Sequence, residues 1–483
     1  MRKLVYAVLL AAAPSLLQAT PLSTAKDLFY AGQYSESMSR FYNLAEGGDA
    51  VAARYIGLAY QFGLGVESTL EEAIFWLHHA STLGDTKASR YLGYIYLDSG
   101  LRPDGEQVAS KYFERAASSG DVFASLELAR MRYNEDNIDE AVKYYNYAAS
   151  RGVADAQFEL AILLIDVFDK NAEALDLLQA AAEEGHTDSL LFSGAMALAG
   201  MFNGVARNDG FRRIELAAEL GSIDAQVLLG NLYLEGIMIE RNVVEAMDWF
   251  HLAHAAGDLR ASVHLAILYE SLDSRERVIE LLSGSPDEGD PDIFLQAADF
   301  LITSGHAGEY KDLILDYFNK AHLNGSSSSG FSAAQFIIQH YDDYEEAIDW
   351  LVKSSQRDHS GAKFLLGTLC AEVEVKKCEY LDSFELIYKS ATMGNADAQL
   401  SLGLMYAEGD SVISDEKIAA SWFKESAEQG NVVAMHNLGV LYLSGRGVNE
   451  DLTLAERWFE KAVTKGYQES EEMLDLISSL LRP

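Results

Sequence analysis

Around Gly403, the apolar side chains Leu400, Leu402, Met405 and Tyr406 recur at three-to-four spacing, and Trp422, Phe423 and Ser426 do so further on. Each set lays one apolar stripe along a helix, so this stretch predicts two amphipathic helices in succession. The same pattern then returns. NADAQLSLGLMYAEG from Asn395 and NVVAMHNLGVLYLSGRGV from Asn431 lie 36 residues apart, each followed by a Trp-Phe pair, a small residue and a glycine. With Gly430 and Gly466 as unit ends, stepping back gives Gly394, Asp358, Gly325, Gly289, Gly257, Gly221, Gly185, Gly152, Gly120, Gly84 and Gly48. The steps are 32, 33 or 36 residues and make twelve units.

Three columns hold this register. All five tryptophans (Trp76, Trp249, Trp350, Trp422, Trp458) fall eight residues before a unit end, where Tyr112, Tyr144 and Tyr317 substitute. Four residues before each end stands Ala or Ser, from Ala80 to Ala462, and midway stands Gly or Ala, from Gly57 to Gly439. Small columns mark helix contacts, because overpacking such a point costs about 1–3 kcal/mol. The first helix of a unit, helix A, opens with Asp-Ala-Gln at Asp155, Asp224 and Asp397, an acid where the helix dipole favours it. The second, helix B, closes on glycine, the usual left-handed cap. A lone hairpin cannot bury its apolar face, so the units must stack.

The combined pattern A-x-A-x(3)-L-G-x-x-Y-x-x-G-x-G-V, then A-x-x-W-[YF]-x-x-[AS]-x(3)-G, resembles the Sel1-like repeat, a relative of the tetratricopeptide repeat. Ala50 to Gly84 carries it nearly whole, with Ile56, Gly57, Tyr60, Gly63, Gly65, Val66, Ala73, Trp76, Ala80 and Gly84. Units ending at Gly152, Gly185, Gly289 and Asp358 lack the G-x-G-V loop and shorten to 32 or 33 residues, which brings them closer to tetratricopeptide units; the unit ending at Gly221 places Arg213 in the Trp column. The resemblance implies an all-α fold, an α/α superhelical solenoid of about twelve helix-pair repeats of 32–36 residues, right-handed, with helix A lining its concave face.

Residues 1–19 read as a secretory signal: Arg2 and Lys3, an apolar core from Leu4 to Ala13, and a small-residue cleavage site at Leu17-Gln18-Ala19. The expected product is periplasmic or secreted. The apolar run falls short of the roughly 20 residues a membrane span needs. Residues 20–48 are expected to form a capping helix pair, 49–466 the solenoid and 467–483 a closing helix. Ser326 to Gly330 (SSSSG) is a candidate hinge, the alternative being a loosened inter-repeat loop.

The formal charge of −37 becomes −39 once Arg2 and Lys3 are removed. That disfavours nucleic acid and anionic membranes, which need a basic footprint. It suits a basic protein partner, divalent cations, or plain solubility. The only cysteines are Cys370, in the Tyr column, and Cys378, eight residues on. An oxidising compartment permits a bridge between them, worth roughly 2–3 kcal/mol in the chain-entropy model. Cysteine-rich secreted members of the family carry a pair in most repeats, and this chain has one.

Catalytic constellations are missing. Ser-x-x-Lys occurs at Ser23–Lys26 and Ser414–Lys417 without the Ser-Asp-Asn or Lys-Thr-Gly that acylating enzymes add. His251, His254 and His264 are the best metal-ligand grouping, but His251 shares its column with His78, Lys424 and Glu460, as a solvated position does. No metal or cofactor is expected. Three residues before the mid-unit position, the column runs Arg54, Arg90, Leu126, Phe158, Leu191, Val227, Val263, Leu295: basic first, then apolar. Tyr55, Tyr91, Tyr94, Arg130, Arg132 and Tyr133 accompany the basic end. Arg offers carboxylates a planar fork and Tyr offers peptides or sugars a flat amphipathic face. The ladder is therefore a candidate groove for an acidic peptide or a uronate-type polysaccharide; the alternative is tyrosines in the core and arginines paired with neighbouring acids.

The resemblance extends to function. Exported Sel1-like proteins are typically non-catalytic scaffolds in envelope assemblies, exopolysaccharide secretion among them, which implies one or more envelope proteins as partners. The alternative it leaves open is a soluble inhibitor of a membrane sensor or cell-wall enzyme.

Overall fold

The computed structural model describes residues 20–481 apart from 99, 101, 203–204, 306 and 374, so the segment read as a secretory signal lies outside the described residues. Described residues form helices and turns, with no strand among them. An opening pair, α1 (Pro21–Tyr30) and α2 (Tyr34–Glu46), precedes the repeats. The first four are α3 (Ala50–Phe62) with α4 (Leu70–Thr82), α5 (Thr86–Asp98) with α6 (Gly105–Ser118), α7 (Val122–Asn134) with α8 (Ile138–Ala149), and α9 (Ala154–Asp166) with α10 (Asn171–Glu183). Next come α11 (Thr187–Leu198) with α12 (Arg207–Glu219), α13 (Ile223–Glu235) with α14 (Val243–Ala255), α15 (Leu259–Ser271) with α16 (Arg275–Ser283), and α17 (Pro291–Thr303) with α18 (Lys311–Leu323). The last four are α19 (Ser329–Tyr341) with α20 (Tyr344–Gln356), α21 (Ser360–Glu372) with α22 (Ser383–Thr392), α23 (Ala396–Glu408) with α24 (Glu416–Glu428), and α25 (Val432–Ser444) with α26 (Leu452–Thr464). A single helix, α27 (Glu469–Leu481), closes the array. This is an all-α repeat solenoid of twelve helix pairs.

Turn chemistry sets the boundaries. Unit-end glycines take left-handed φ (Gly84 +97°, Gly120 +92°, Gly430 +105°), where a Cβ would strain the backbone. The residue after each caps the next helix A: Asp85, Asp121 and Asn431 accept from backbone N–H groups three residues on, at 2.8–3.0 Å. The four short repeats turn between A and B on an aspartate at left-handed φ: Asp136, Asp169, Asp273 and Asp342. Aspartate tolerates that region better than most non-glycine residues, so a tighter turn replaces the G-x-G-V loop.

The mid-unit small column is where A meets B. A Cβ on Gly93 would lie 2.5 Å from the Phe113 ring, one on Gly403 2.5 Å from Phe423, and one on Gly57 2.7 Å from Leu77. The side chain filling each gap therefore stands one position after the Trp column. Leu77, Phe113 and Phe459 are fully buried, whereas Trp76, Trp249, Trp422 and Trp458 are only partly so. In the Ala/Ser column, Ser390 and Ser426 are fully buried and satisfy their hydroxyls by donating to the Ser360 and Ala396 carbonyls, at the start of helix A, at 2.8 and 2.6 Å. Ser285 is the exception, lying past the end of α16, where its carbonyl and hydroxyl take hydrogen bonds from Lys320 Nζ.

Glutamines of the Asp-Ala-Gln motif join repeat to repeat. The amides of Gln157, Gln226 and Gln399 donate at 3.1–3.2 Å to the Ala149, Ala218 and Ala391 carbonyls, near the end of the preceding helix B. Lys363 occupies the same column and donates to the Ser355 carbonyl.

The chain divides into two compact units within α14, after Ala246. In residues 20–246, one core cluster gathers Phe41, Ile56 and Leu77, and another Leu160, Leu164 and Leu178. In residues 247–481, a cluster runs from Leu259 through Phe294, Tyr317 and Phe336 to Leu369. Ser329 and Gly330, from the candidate hinge, begin α19 and are buried there. Cys370, in the last turn of α21, is disulfide-bonded to Cys378 in the 3-10 turn Lys376–Tyr380, with Cα atoms 5.2 Å apart.

Candidate functional site

Stacking places Arg54, Arg90 and Arg130 on three successive A helices, each facing the next one. Arg54 Nε donates to Asp85 Oδ2 at 3.0 Å, with both side chains largely buried. Because Asp85 Oδ1 caps α5, one carboxylate serves a helix end and a guanidinium together. Arg90 repeats the arrangement on the α7 cap, its Nη1 lying 3.6 Å from Asp121 Oδ1. Its guanidinium also sits 4.8 Å from the Phe123 ring and 5.6 Å from the Tyr91 ring.

Arg130 carries more charge around it. It pairs with Glu159 on α9 and with Glu127 at 3.0 Å, and Asp155 lies 3.9 Å away. Hydrogen bonding to Glu159 raises its pKa further above the ordinary arginine value. Tyr145 donates to Glu159 at 2.9 Å and Tyr94 to Glu127 at 3.2 Å; burial first, then those carboxylates, push both phenols upward. Asp155 is held below the usual carboxylate range, chiefly by its hydrogen bond with His186 and also by Arg130.

The other expected members lie apart. Arg132 turns toward the B helices, contacting Glu114 at 2.7 Å, Glu135 at 2.8 Å and Glu140 at 3.0 Å. Tyr55 is buried, stacked on Phe41 with ring centroids 4.9 Å apart, and its hydroxyl bonds that of Tyr30 at 2.6 Å. Tyr133, by contrast, is 47% exposed. All four arginines thus already face carboxylates, and Arg130 and Arg132 face three each. Pairing with neighbouring acids is the alternative reading of the sequence, but Asp85, Asp121, Glu159, Glu114 and Glu140 could not be named as partners because they stand outside the helix that carries each arginine; only Glu127 and Glu135 lie three residues from theirs. The clue to the first two was Gly-Asp at Gly84-Asp85 and Gly120-Asp121, where a capping acid recurs 31 residues after Arg54 and Arg90.

Beyond the ladder, the same column becomes apolar, through Leu126, Phe158, Leu191 and Val227. Phe158 is partly buried, 6.1 Å from the Phe192 ring and 5.2 Å from the His186 ring. Asp155, Asp188 and Asp224 open the three A helices that carry Phe158, Leu191 and Val227. Leu126 and Val227 are buried, so the accessible part of this strip is Phe158 and Leu191, both partly buried, with Asp155 and Asp188 along one margin.

The three histidines weighed as ligands do not converge. His251 Nε2 lies 3.2 Å from the Tyr269 hydroxyl, His254 Nδ1 2.8 Å from Ser262 Oγ and His264 Nδ1 2.7 Å from the Arg260 carbonyl. No group of three His, Cys, Asp or Glu placed to hold a metal occurs among the described residues. Nor, among them, is any helix long and apolar enough to cross a membrane.

Comparison with known proteins agrees with this architecture. The model of the Sel1 repeat matches residues 50–85, 86–121, 128–153, 154–186, 223–258, 337–359, 396–431 and 432–467, more than half of the chain. A solved structure of c5321, a protective antigen of uropathogenic Escherichia coli displaying an SLR fold, is 24% identical with a TM-score of 0.45, covering 92% of this chain and 91% of that one. A Sel1 repeat protein from Oxalobacter formigenes is 21% identical with a TM-score of 0.46, covering 74% and 93%. Immunity protein Pa5087 from Pseudomonas aeruginosa is 18% identical with a TM-score of 0.30, covering 44% and 84%. No curated protein matches the sequence.

Proposed function

Because the chain belongs to the Sel1 repeat family, whose members generally act as non-catalytic scaffolds in protein–protein interaction, we propose that it is an exported scaffold that holds a protein of the cell envelope. Export is supported by the charged start, apolar core and small-residue cleavage site within residues 1–19. The partner's place is the A-helix face of residues 122–235. The observation that carries this assignment is the apolar strip of Phe158 and Leu191, margined by Asp155 and Asp188, in a chain of formal charge −37. A strip of this kind takes apolar side chains from a partner and sets basic groups beside its acids. An acidic peptide or a uronate on Arg54 and Arg90 would instead have to displace Asp85 and Asp121, which also cap α5 and α7.

The test is affinity capture from a native envelope extract with the mature chain, a Phe158→Ser/Leu191→Ser variant and an Arg54→Glu/Arg90→Glu variant as parallel baits, each checked for helicity. A partner retained by the wild type and lost only with the serine pair is the expected result. Loss only with the glutamate pair would move the site to the arginine ladder. Equal capture by all three would remove both faces from consideration.

A further inference from the structure

Three consecutive repeats in residues 20–246 leave apolar side chains in water on one edge, at the loops joining helix A to helix B. Val167 and Phe168, between α9 and α10, are 49% and 41% exposed, and Met201, between α11 and α12, is 54% exposed. Between α13 and α14, Ile237 and Met238 are 46% and 43% exposed, and Val244 in the first turn of α14 is 68% exposed. Phe202, beside Met201, is buried in the core cluster that also holds Leu163 and Leu164 of α9, the helix that Val167 and Phe168 follow.

Met238 is the telling member. It holds φ +68°, a left-handed conformation uncommon for a non-glycine residue. Its counterparts in the repeats with an intact G-x-G-V loop are Gly65 and Gly447, and there the absence of a side chain has a purpose. A Cβ on Gly65 would lie 2.4 Å from Tyr34 Cβ, and one on Gly447 2.0 Å from the Glu416 carbonyl oxygen, so both loops lie flat on the preceding helix B. Methionine at position 238 forgoes that close approach, keeps the strained backbone, and still leaves its side chain in solvent. Neither turn geometry nor core packing calls for it. A flexible, polarisable side chain is suited to contact with another surface.

The charge around the row narrows what that surface is. Asp166, Asp169, Glu235, Glu240 and Glu245 surround it and are exposed. The nearby cations are fewer than these five acids: Lys170, paired with Glu173 at 3.1 Å, Arg241, which donates to the Leu234 carbonyl at 2.9 Å and keeps its charge, and Arg207, whose guanidinium lies beside Gly200. A second copy of this chain would bring one acidic rim against another, and an anionic bilayer would be repelled in the same way. We propose that the loop row Val167, Phe168, Met201, Ile237, Met238 and Val244 is a docking surface for a different protein, one presenting an apolar segment flanked by Lys or Arg. It is separate from the A-helix face invoked above, and its charge complementarity selects the occupant.

The test uses a fluorescein-labelled amphipathic leucine–lysine peptide and a leucine–glutamate twin, titrated by anisotropy against the mature chain. The Met201→Ser/Ile237→Ser/Met238→Gly variant changes no charge, so any difference reads the apolar row. It is expected to bind the leucine–lysine peptide about ten-fold more weakly than the wild type, while the leucine–glutamate peptide binds neither. Met238→Gly alone is expected to raise the melting temperature by relieving the strained backbone, and the helicity and melting temperature of each other variant show that it folds. Equal affinity of wild type and triple variant overturns the proposal. So does a drop produced by Phe158→Ser/Leu191→Ser and not by the triple variant, which would assign the peptide to the A-helix face. A wild-type dimer that the triple variant dissolves would make the occupant a second copy. Binding to phosphatidylglycerol vesicles that the triple variant loses would make it a lipid surface.

Discussion

In residues 20–246, one helix A reaches the next largely through charge: Arg54 to Asp85, Arg90 to Asp121, Arg130 to Glu159 and His186 to Asp155. In residues 247–481, neutral donors dominate the equivalent joints. Asn431 donates to Asp397 at 3.0 Å, and His436 lies 3.0 Å from the Ser470 hydroxyl. That unit adds the Cys370–Cys378 bridge. Both sets answer one requirement, that the orphan groups at helix ends and the gaps between stacked helices be filled. A repeat dictates where a joint falls and leaves its chemistry free to vary, so the two units should respond differently to substitution and to acid.

The largest effect tests what the units share. Gly93→Leu in the first unit and Gly403→Leu in the second each drive a side chain into a phenyl ring 2.5 Å from the new Cβ. Each should lower stability by about 3 kcal/mol, read as a matching fall in urea midpoint. A unit that tolerates its leucine would show that the small column is not their common foundation.

The covalent difference comes next. Replacing Cys370 and Cys378 by serine should destabilise α21 and α22 by about 2–3 kcal/mol in the chain-entropy model. Hydrogen exchange should quicken there and stay unchanged in residues 20–246. Uniform quickening would mean that the bridge supports more than its own repeat.

Charged and neutral joints can be weighed directly. Arg54→Met leaves Asp85 largely buried without its cation and should cost about 2 kcal/mol, against about 1 kcal/mol for His436→Leu, which removes the neutral hydrogen bond with Ser470. Equal melting temperatures for the two variants would erase that distinction.

The smallest effect is the response to acid. Burial, the leading cause in each case, lowers the pKa values of His251, His322, His359 and His436, all in the second unit, below the ordinary 6.5. The unfolded chain then binds protons more readily than the folded one. The stability these groups contribute is full above pH 6.5 and is lost as pH falls through it toward the folded values. Asp155, in the first unit, is lowered from 3.8, so its contribution is present above that pH and lost only as pH falls through the still lower folded value. Asp299, raised by burial, works in the opposite direction in the second unit, near and above 3.8. As pH falls below 6.5 toward those lower folded values, exchange should quicken first in residues 247–481. Earlier loosening of residues 20–246 would reverse the assignment.

Much of this was legible before any coordinates. Columns such as Ala80 to Ala462 recur because each stacked unit meets the same steric limit, so twelve copies amplify a signal that one helix pair would hide. The candidate ladder was legible only as residue types. Arg54 and Arg132 look alike in sequence, yet one faces the next helix A and the other turns among Glu114, Glu135 and Glu140. The Trp column drew attention as the conspicuous one, while the fully buried position proved to be its neighbour, occupied by Leu77, Phe113 and Phe459. Helix rotation decides between adjacent positions, and a repeat period does not report it. Met238 lay in plain sight opposite Gly65 and Gly447, but its significance needed the close approach that those glycines permit.

The sequence by itself determined the number of repeats, the order of A and B helices, the capping turns and the points where only a small residue fits. All of these follow from spacing within about 36 residues, over which local propensity and period act together. The tertiary structure alone decided which carboxylates hold which arginines, which aromatic side chains fill the core, and which apolar side chains are left in water. Those outcomes depend on how one repeat rests against the next, and that contact brings together residues that no local pattern relates.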